Sequence, residues 1–275
     1  MEKEPGNQCT DPGGELNRIL STERFGRKVF WHRSLGSTND EAARLAGQGE
    51  AEGTLVVAEE QTMGRGRERR TWHSPPFLGW YFSLILRPPG PAHETPLQTF
   101  VVAVALTEVI RDRCGLPATI RWPNDILIRG RKTAGILAEV RTSNEAGRGL
   151  VIGVGWNLNH RREDFPEELR DRATSLLAEG GREVSRLPLL AALLEKWEIG
   201  YAGYFRAGPE SLLNSWKEYS PESTGAWIRL DDGKTIHTGR TRGIGPDGAL
   251  LLEDEEGKVT SFRFGEVRRL LEVRS

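Results

Sequence analysis

The sequence predicts an α+β protein in which a mixed or antiparallel sheet with flanking helices is followed by a small all-β unit. Short β-branched segments separated by tight turns run from Thr119 to Val154, which is typical of an antiparallel meander. Two longer apolar segments, 97–113 and 187–205, have helical periodicity and can cover one face of a sheet. After Gly225, short strands alternate with Asp/Gly turns, a pattern that favours a small barrel or sandwich.

The first predicted elements form a strand, a turn and a helix. Residues 1–27 are polar and rich in Pro and Gly, so we expect a loose leader. A strand follows at 28–32, and Thr38 with Glu41 fits a capping box at the start of a helix. Further strands are expected at 54–59, 80–86, 119–123, 126–128, 134–140 and 149–154, and a second later helix at 210–218.

Composition and charge exclude several classes of protein. The chain has 275 residues and a net charge of −1, from 38 Lys+Arg and 39 Asp+Glu, so it lacks the basic excess of a protein that coats nucleic acid. The longest apolar run, Phe100–Leu106, is far shorter than the ~20 residues of a membrane span. Cys9 and Cys114 cannot build a disulfide framework. We therefore expect a cytoplasmic protein with neither DNA nor membrane as a partner.

Two common nucleotide-binding motifs are missing from the sequence. Gly233-Lys234-Thr235 lacks the first Gly of a P-loop, because Ile228 occupies that position. Gly243-x-Gly245-x-x-Gly248 matches the dinucleotide fingerprint in letters only, since short strands flank it and no helix follows. Both segments are interpreted as turns.

Residues 64–72, here called the arginine loop, combine glycine with clustered arginine. The sequence Gly-Arg-Gly-Arg-Glu-Arg-Arg-Thr-Trp holds four of the chain's 31 Arg. Gly64 and Gly66 allow close backbone approach to a ligand, and Arg guanidinium groups suit carboxylate and phosphate. Trp72 offers a planar surface for a base. A solvated basic loop is the alternative interpretation, and composition alone favours it.

A second polar cluster surrounds Trp122-Pro123-Asn124-Asp125 and Lys132. Asn124 and Asp125 suit a turn, but their oxygens could also bind Mg²⁺ or ribose. Lys132 is the only Lys between Lys28 and Lys196, in a chain with 7 Lys in total. Its ammonium group could neutralise charge that develops on a phosphate.

Five motifs in order and spacing resemble the biotin–protein ligase family, in a form without an N-terminal DNA-binding domain. They cover about residues 28–275. The motifs are Gly36-Ser37-Thr38-Asn39, Gln61 with the arginine loop, Arg121-Trp122-Pro123-Asn124-Asp125, Lys132-x-Ala134-Gly135-Ile136-Leu137 and Gly153-x-Gly155-x-Asn157.

The resemblance implies a fold, a reaction and partners. It implies a class II synthetase-like catalytic domain at 28–222 and an SH3-like β-barrel at 223–275. The family activates biotin with ATP and Mg²⁺ to biotinyl-5′-AMP, and then transfers biotin to one lysine of the biotin carboxyl carrier protein of acetyl-CoA carboxylase or a related enzyme. A homodimer through the edge of the 134–154 meander is also implied as possible.

The resemblance further implies site residues at matching positions. Ser37, Thr38, Asn39 and Gln61 would receive the ureido ring of biotin, and Trp156 and Leu137 would form apolar walls. The implied biotin-binding set is Ser37, Thr38, Asn39, Gln61, Gly64, Arg65, Gly66, Arg67, Lys132, Gly135 and Gly153. The implied ATP or adenylate contacts are Arg67, Arg70, Trp72, Asn124, Lys132 and Asn157. The implied catalytic residues are Lys132, Arg65 and Asp125, and Asp125 is also the candidate Mg²⁺ ligand.

Departures from the family and alternative functions remain open at this point. Arg69 replaces a glycine that is common in the family's loop, and 27 residues before the first strand are too few for a helix-turn-helix repressor domain. We therefore expect no repressor function. The first alternative is a lipoate–protein ligase or a related acyltransferase of the same fold, for which Cys114 is a poor nucleophile. The second is a non-catalytic nucleic-acid-binding protein that uses the arginine loop and the C-terminal unit.

Overall fold

The computed structural model describes residues 11–89, 95–143 and 147–270, so Cys9 and the first ten residues of the predicted leader lie outside it. Seven strands form one sheet: β1 (Val29–His32), β2 (Leu55–Ala58), β3 (Gly79–Leu86), β4 (Ala118–Arg121), β5 (Asp125–Ile128), β6 (Arg131–Ser143) and β7 (Gly147–Asn157). Their order is β1-β2-β3-β7-β6-β5-β4. Only β1 and β2 pair in parallel, so the sheet is mixed.

Helices cover both faces of this sheet. They are α1 (Pro12–Ile19), α2 (Thr38–Gly47), α3 (Thr95–Cys114), α4 (Leu176–Gly180), α5 (Arg186–Ala207) and α6 (Glu210–Tyr219). Side chains alternate across a strand, and in β3 Phe82 and Leu84 join the main core with α3 and α5. Ile85 points to the other face, where it packs with Ala42 and Leu45 of α2. The predicted α+β class is confirmed, and among the helices in the described residues it is α2 that packs on the second face.

The described part of the predicted leader is not loose. Residues 12–19 form α1, whose N-cap Asp11 accepts a hydrogen bond from the backbone N–H of Gly14. Leu16 and Phe25 are fully buried and belong to the main core. The prediction was wrong because Pro and Gly occupy the first turn of α1, where both are tolerated, and the later apolar residues pack against α5.

Five strands form a second, antiparallel sheet after α6. They are β8 (Thr224–Asp231), β9 (Ile236–Ile244), β10 (Leu250–Glu253), β11 (Val259–Phe262) and β12 (Glu266–Arg269), in the order β11-β10-β9-β8-β12. The expected barrel is therefore corrected to an open sheet, because β11 and β12 stand at its two ends and do not pair with each other in residues 224–269. The sheet begins beside the predicted boundary at 222/223, and the division into two domains stays a prediction.

Most of the 134–154 meander lies inside the first sheet. β7 pairs with β3 and β6, whereas β5 pairs with β6 only from Arg131 to Gly135. Beyond Gly135, the outer edge of β6 has no strand partner in the described part of the chain. No helix in that part is long and apolar enough to cross a membrane.

Candidate active site

A cleft of about 550 Å³ opens on the face of the first sheet, between α2, the arginine loop and β12. Apart from Gly64 and Trp156, the site residues predicted from the sequence line it: Ser37, Thr38, Asn39, Gln61, Arg65, Gly66, Arg67, Arg70, Trp72, Asn124, Asp125, Lys132, Gly135, Leu137, Gly153 and Asn157. The sequence therefore identified the residues that converge here. Their individual roles stay predictions.

Gln61 holds the first turn of α2 through its side-chain amide. Its Oε1 atom accepts hydrogen bonds from the backbone N–H of Thr38 at 2.8 Å and from the Thr38 hydroxyl at 3.0 Å. The N-cap of α2 is Ser37, not Thr38, and Ser37 makes no side-chain capping bond. The predicted capping box is therefore wrong, because the Thr38 hydroxyl bonds to a side chain instead of the helix backbone. Ser83 of β3 contacts the same hydroxyl at 2.8 Å.

Asn39 lies between the buried Ser83 and the partly exposed Glu139, and it contacts a glycine. Its Oδ1 atom is 2.6 Å from the Ser83 hydroxyl, and its Nδ2 atom is 2.7 Å from a carboxylate oxygen of Glu139. A Cβ atom on Gly153 would lie 2.0 Å from Asn39 Oδ1. The carboxamide can occupy this position only because residue 153 has no side chain.

The arginine loop folds back on itself as a short hairpin. The backbone N–H of Trp72 donates to the carbonyl of Gly64, and that of Gly66 donates to the carbonyl of Arg70. Gly64 does not line the cleft. A Cβ atom at this position would come within 2.8 Å of both the Ser74 hydroxyl and the Trp72 carbonyl. Gly64 is therefore needed for the turn of the loop, whereas its predicted contact with biotin receives no support from the lining.

Arg65 of the loop binds two carboxylates of its own chain. Both of its terminal nitrogens lie 2.6 Å from Asp40, and one lies 3.1 Å from Glu139. The Arg65 guanidinium lowers the pKa of Asp40, and the hydrogen bond to Asp40 raises the pKa of Arg65. An incoming carboxylate or phosphate would have to compete with these partners for Arg65.

Arg67 and Arg70 connect the loop to the second sheet. Arg67 donates to the Gly265 carbonyl at 3.1 Å and to Asn124 Oδ1 at 3.4 Å, and burial lowers its pKa. Arg70 lies 2.6 Å from Glu266 of β12, a hydrogen bond that raises its pKa. The C-terminal sheet therefore forms one wall of the cleft and holds the loop.

Lys132 reaches the cleft from the start of β6. Its Nζ atom lies 2.6 Å from Oδ1 of Asp125, and 5.2 Å from the centre of the Trp72 ring. The Lys132 backbone also exchanges hydrogen bonds with residues 172 and 174. These bonds hold the start of β6 on the side opposite β5. The Lys132 side chain is a third exposed, so a substrate can still approach it.

The Trp72 indole lies flat on the sheet over two glycines that pair across β6 and β7. A Cβ atom on Gly155 would come within 2.3 Å of the ring, and one on Gly135 within 3.1 Å. The Nε1 atom of Trp72 is buried and has no hydrogen-bond partner within the described residues. Trp156, the expected apolar wall, is fully buried in the main core on the opposite face, whereas Leu137 does line the cleft. The Trp156 expectation is therefore wrong, because adjacent residues of a strand face opposite sides.

Two asparagines hold the backbone around the far end of the cleft. Asn124 donates to the carbonyl of Ile136 at 2.6 Å and accepts from Arg67. Asn157 is buried and donates to the carbonyl of Thr174 at 3.0 Å. Both amides therefore have structural partners besides any contact that they make with a nucleotide.

Sequence reasoning missed Ser83, Glu139 and Asp40, which support the predicted residues from behind. Ser83 is the one polar residue in the otherwise apolar segment 80–86, a signal that could have marked it. Glu139 had a similar signal, a carboxylate within the apolar strand 134–140.

Cys114 and the buried His160 lie outside this cleft, whereas His73 lines it and has its Nε2 atom 2.8 Å from the backbone carbonyl of Asp164. Cys114 ends α3 and packs against the main core, and burial raises the pKa of its thiol. His160 is fully buried, stacks on Phe165, and has its pKa lowered to about 4 by burial and by His73. Within the described ranges, no group of three or more His, Cys, Asp or Glu side chains is arranged to bind a metal.

Comparison with known proteins agrees with this geometry. Residues 31–157 match the biotin/lipoate A/B protein ligase family. The bifunctional ligase/repressor BirA of Bacillus subtilis is 39% identical over 255 residues, which are 93% of this chain and 77% of that protein. The biotin–[acetyl-CoA-carboxylase] ligase of Paracoccus denitrificans is 34% identical over 81% of this chain and 92% of that protein.

A solved structure shares the same architecture. The biotin protein ligase from Aquifex aeolicus in complex with biotin and ATP aligns with a TM-score of 0.78 at 27% identity, over 89% of this chain and 100% of that chain.

Proposed function

The chain belongs to the biotin/lipoate A/B protein ligase family, and we propose that within it the protein activates biotin with ATP and transfers biotin to a lysine of a carrier protein. This proposal depends on one observation: a single cleft has hydrogen-bonding side chains at one end and cationic side chains at the other. Thr38, Asn39 and Gln61 line the first end, and Lys132 and Arg67 line the second.

In the first reaction, a carboxylate oxygen of biotin attacks the α-phosphorus of ATP. The new P–O bond forms as the bond to the β-phosphate oxygen breaks, which yields biotinyl-5′-AMP and pyrophosphate. Two anions must meet, so cationic groups that offset their repulsion supply the main catalytic effect. Lys132 is suited to this role because its ammonium group is within the cleft and one carboxylate, Asp125, holds it in place.

In the second reaction, the neutral amine of the acceptor lysine attacks the carbonyl carbon of biotinyl-5′-AMP. The C–N bond forms, the bond to the AMP oxygen breaks, and AMP leaves as the anion while the amine loses a proton. No covalent intermediate with the protein is needed, which agrees with the position of Cys114 on the core side of α3.

Mg²⁺ fits this site as an ion that is carried in with ATP. Such ions are usually held by one or two carboxylates together with substrate phosphates, and the Asp125 carboxylate lines the cleft beside Lys132. Asp125 would therefore hold the ion, which supplies positive charge to the phosphates. The Lys132 contact at 2.6 Å shows that the carboxylate is within reach of cations.

The polar end of the cleft favours biotin over lipoate. A plain acyl chain would leave the polar groups of Thr38, Asn39 and Gln61 without ligand partners, which costs binding energy. The near-neutral charge of −1 also disfavours the nucleic-acid-binding alternative.

The decisive experiment is biotin-dependent exchange of pyrophosphate into ATP by the purified protein with Mg²⁺. We expect exchange with biotin and little with lipoate or octanoate. Equal exchange with lipoate would support the lipoate ligase instead, and no exchange with any acid would contradict the proposal.

The remaining partners are separate proposals. The acceptor is the biotin carboxyl carrier protein of acetyl-CoA carboxylase or a related enzyme, which transfer of labelled biotin to a purified carrier domain tests. The free outer edge of β6 supports a homodimer, and sedimentation with and without biotinyl-5′-AMP tests it.

We also propose a cytoplasmic location and no operator binding. A mobility shift of operator-like DNA at physiological salt would contradict the last point.

A further inference from the structure

A buried hydroxyl lies directly behind the polar end of the cleft. Ser83 is in the middle of β3 and is 0% exposed. Its Oγ atom is 2.6 Å from Asn39 Oδ1 and 2.8 Å from Thr38 Oγ1. One side chain therefore contacts two of the residues that line this end, although it does not line the cleft itself.

Glu139 fixes the orientation of the Asn39 carboxamide, that is, which positions its Nδ2 and Oδ1 atoms occupy. The two N–H groups of Asn39 Nδ2 face two acceptors, Glu139 Oε2 at 2.7 Å and the Leu137 carbonyl at 3.4 Å. A flipped amide would place its oxygen against a carboxylate and a carbonyl, where neither contact has a proton. The amide nitrogen is therefore committed to the protein.

The proton count then decides the polarity on the other side. Asn39 Oδ1 carries no proton, so the 2.6 Å contact requires that Ser83 donate its single proton to it. The Thr38 hydroxyl donates its proton to Gln61 Oε1 at 3.0 Å, and its oxygen lies 2.8 Å from Ser83 Oγ. Asn39 Oδ1 accepts one hydrogen bond from Ser83 and retains a lone pair for a second donor.

We propose that Ser83 and Glu139 are positioning residues that hold Asn39 as a hydrogen-bond acceptor for a ureido N–H of the substrate. This inference rests on the proposed function, because it names biotin's cyclic urea as the group recognised. A carboxamide that is free to flip would form hydrogen bonds equally well with donor and acceptor groups of a ligand. An amide locked by a carboxylate and a hydroxyl selects an N–H donor, which lipoate and octanoate lack.

The test separates recognition of biotin from general folding. Ser83→Ala removes the donor, and we expect the Kd and KM for biotin to rise 10- to 100-fold while kcat and the KM for ATP change less than threefold. Desthiobiotin, which retains the cyclic urea, should lose affinity by the same factor. The matched control is Ser223→Ala. Ser223 also has a buried hydroxyl, but that hydroxyl donates to the Ser220 backbone carbonyl and lies outside the cleft. This variant should bind biotin like the unmodified protein.

A second pair of variants keeps the inference testable if Ser83→Ala does not fold. Glu139→Leu removes the acceptor for Asn39 Nδ2 and should weaken biotin binding by a similar factor, whereas Glu139→Gln retains an amide oxygen and should recover most of the affinity. Equal biotin affinity in Glu139→Leu and the unmodified protein would overturn the inference, as would equal losses toward biotin and ATP in Ser83→Ala.

Two separate measurements distinguish failure of the proposed function from failure of this inference. Biotin binding is measured by calorimetry without ATP, and exchange is measured on the unmodified protein. An unmodified protein that binds biotin but does not exchange pyrophosphate contradicts the proposed function alone. A protein that exchanges normally, with variants that bind biotin normally, contradicts the inference alone.

Discussion

The ammonium group of Lys132 lies 2.6 Å from the carboxylate of Asp125, across the hairpin that joins β5 to β6. The two residues are brought together by a tight turn at Arg129 and Gly130, both of which have positive φ and suit a two-residue hairpin connection. The turn therefore places one cation and one anion at the same point of the cleft, where we propose that phosphate charge is neutralised.

Replacement of Lys132 should abolish adenylate formation. Lys132→Ala removes the cation that offsets the developing charge, and we expect exchange to fall about 100-fold or more. Lys196→Ala is the control, because Lys196 binds Glu108 and Asp112 between helices outside the cleft. Near-normal exchange in Lys132→Ala would contradict the role assigned to this residue.

A methyl group on Gly155 should displace Trp72. The new Cβ atom of Gly155→Ala would lie 2.3 Å from the indole, so the ring has to leave the sheet. We expect a raised KM for ATP, about tenfold, if Trp72 lies beside the adenine. Gly149→Ala is the matched control on the same strand, since its Cβ atom would meet its nearest neighbour at 3.6 Å. Equal KM values for ATP in the two variants would rule out this role of Trp72.

Loss of the Arg70–Glu266 contact should loosen the arginine loop without unfolding the protein. An exposed ion pair contributes at most about 1 kcal/mol to stability, so Glu266→Gln should leave the melting temperature nearly unchanged. Tryptic cleavage within residues 64–72 should become several-fold faster, because the loop loses a contact to β12. Glu253→Gln, which breaks a contact with Arg242 inside the second sheet, should not accelerate this cleavage.

Acid should destabilise the protein in part through His160. Burial lowers the pKa of His160 to about 4 from 6.5, so the unfolded chain binds a proton below about pH 6.5 while the folded chain does not. The contribution is complete above pH 6.5 and declines as the pH falls toward 4, by up to about 1.4 kcal/mol per pH unit. Urea unfolding at pH 7.5 and 5.0 measures it, and about 2 kcal/mol of the difference should disappear in His160→Phe. An identical pH dependence in both proteins would contradict the assignment.

The packing of α1 gives a stability prediction. Leu16 is fully buried, so Leu16→Ala should lower the free energy of unfolding by about 2–5 kcal/mol. Ile19 on the same helix is 46% exposed, and Ile19→Ala should change it by less than about 0.5 kcal/mol. If both variants unfold at the same urea concentration, α1 does not pack as described.

Local patterns predicted the secondary structure of the first sheet well. The strand at 80–86 and the helix at 97–113 were found within one to two residues of their observed ends, Gly79–Leu86 and Thr95–Cys114. All eight residues of this strand are buried, so the length of its uninterrupted apolar run and the turn residues beside it were sufficient to predict it. The capping box failed because the Thr38 hydroxyl has a better partner, Gln61, which lies 23 residues away.

The sequence by itself determined the fold class and a set of motif residues that meet in the cleft, because strand and helix periodicity and Gly, Arg and Lys positions are local properties. Only the tertiary structure decided which side chains support them. Glu139 of β6 contacts Asn39 across 100 residues, and Ser83 contacts it from another strand, β3. Both contacts depend on the order of the strands in the sheet. The scarcity of lysine singled out Lys132 in the sequence, but its partner Asp125 and the ring of Trp72 follow from the register of β5 and β6 and from the closed arginine loop.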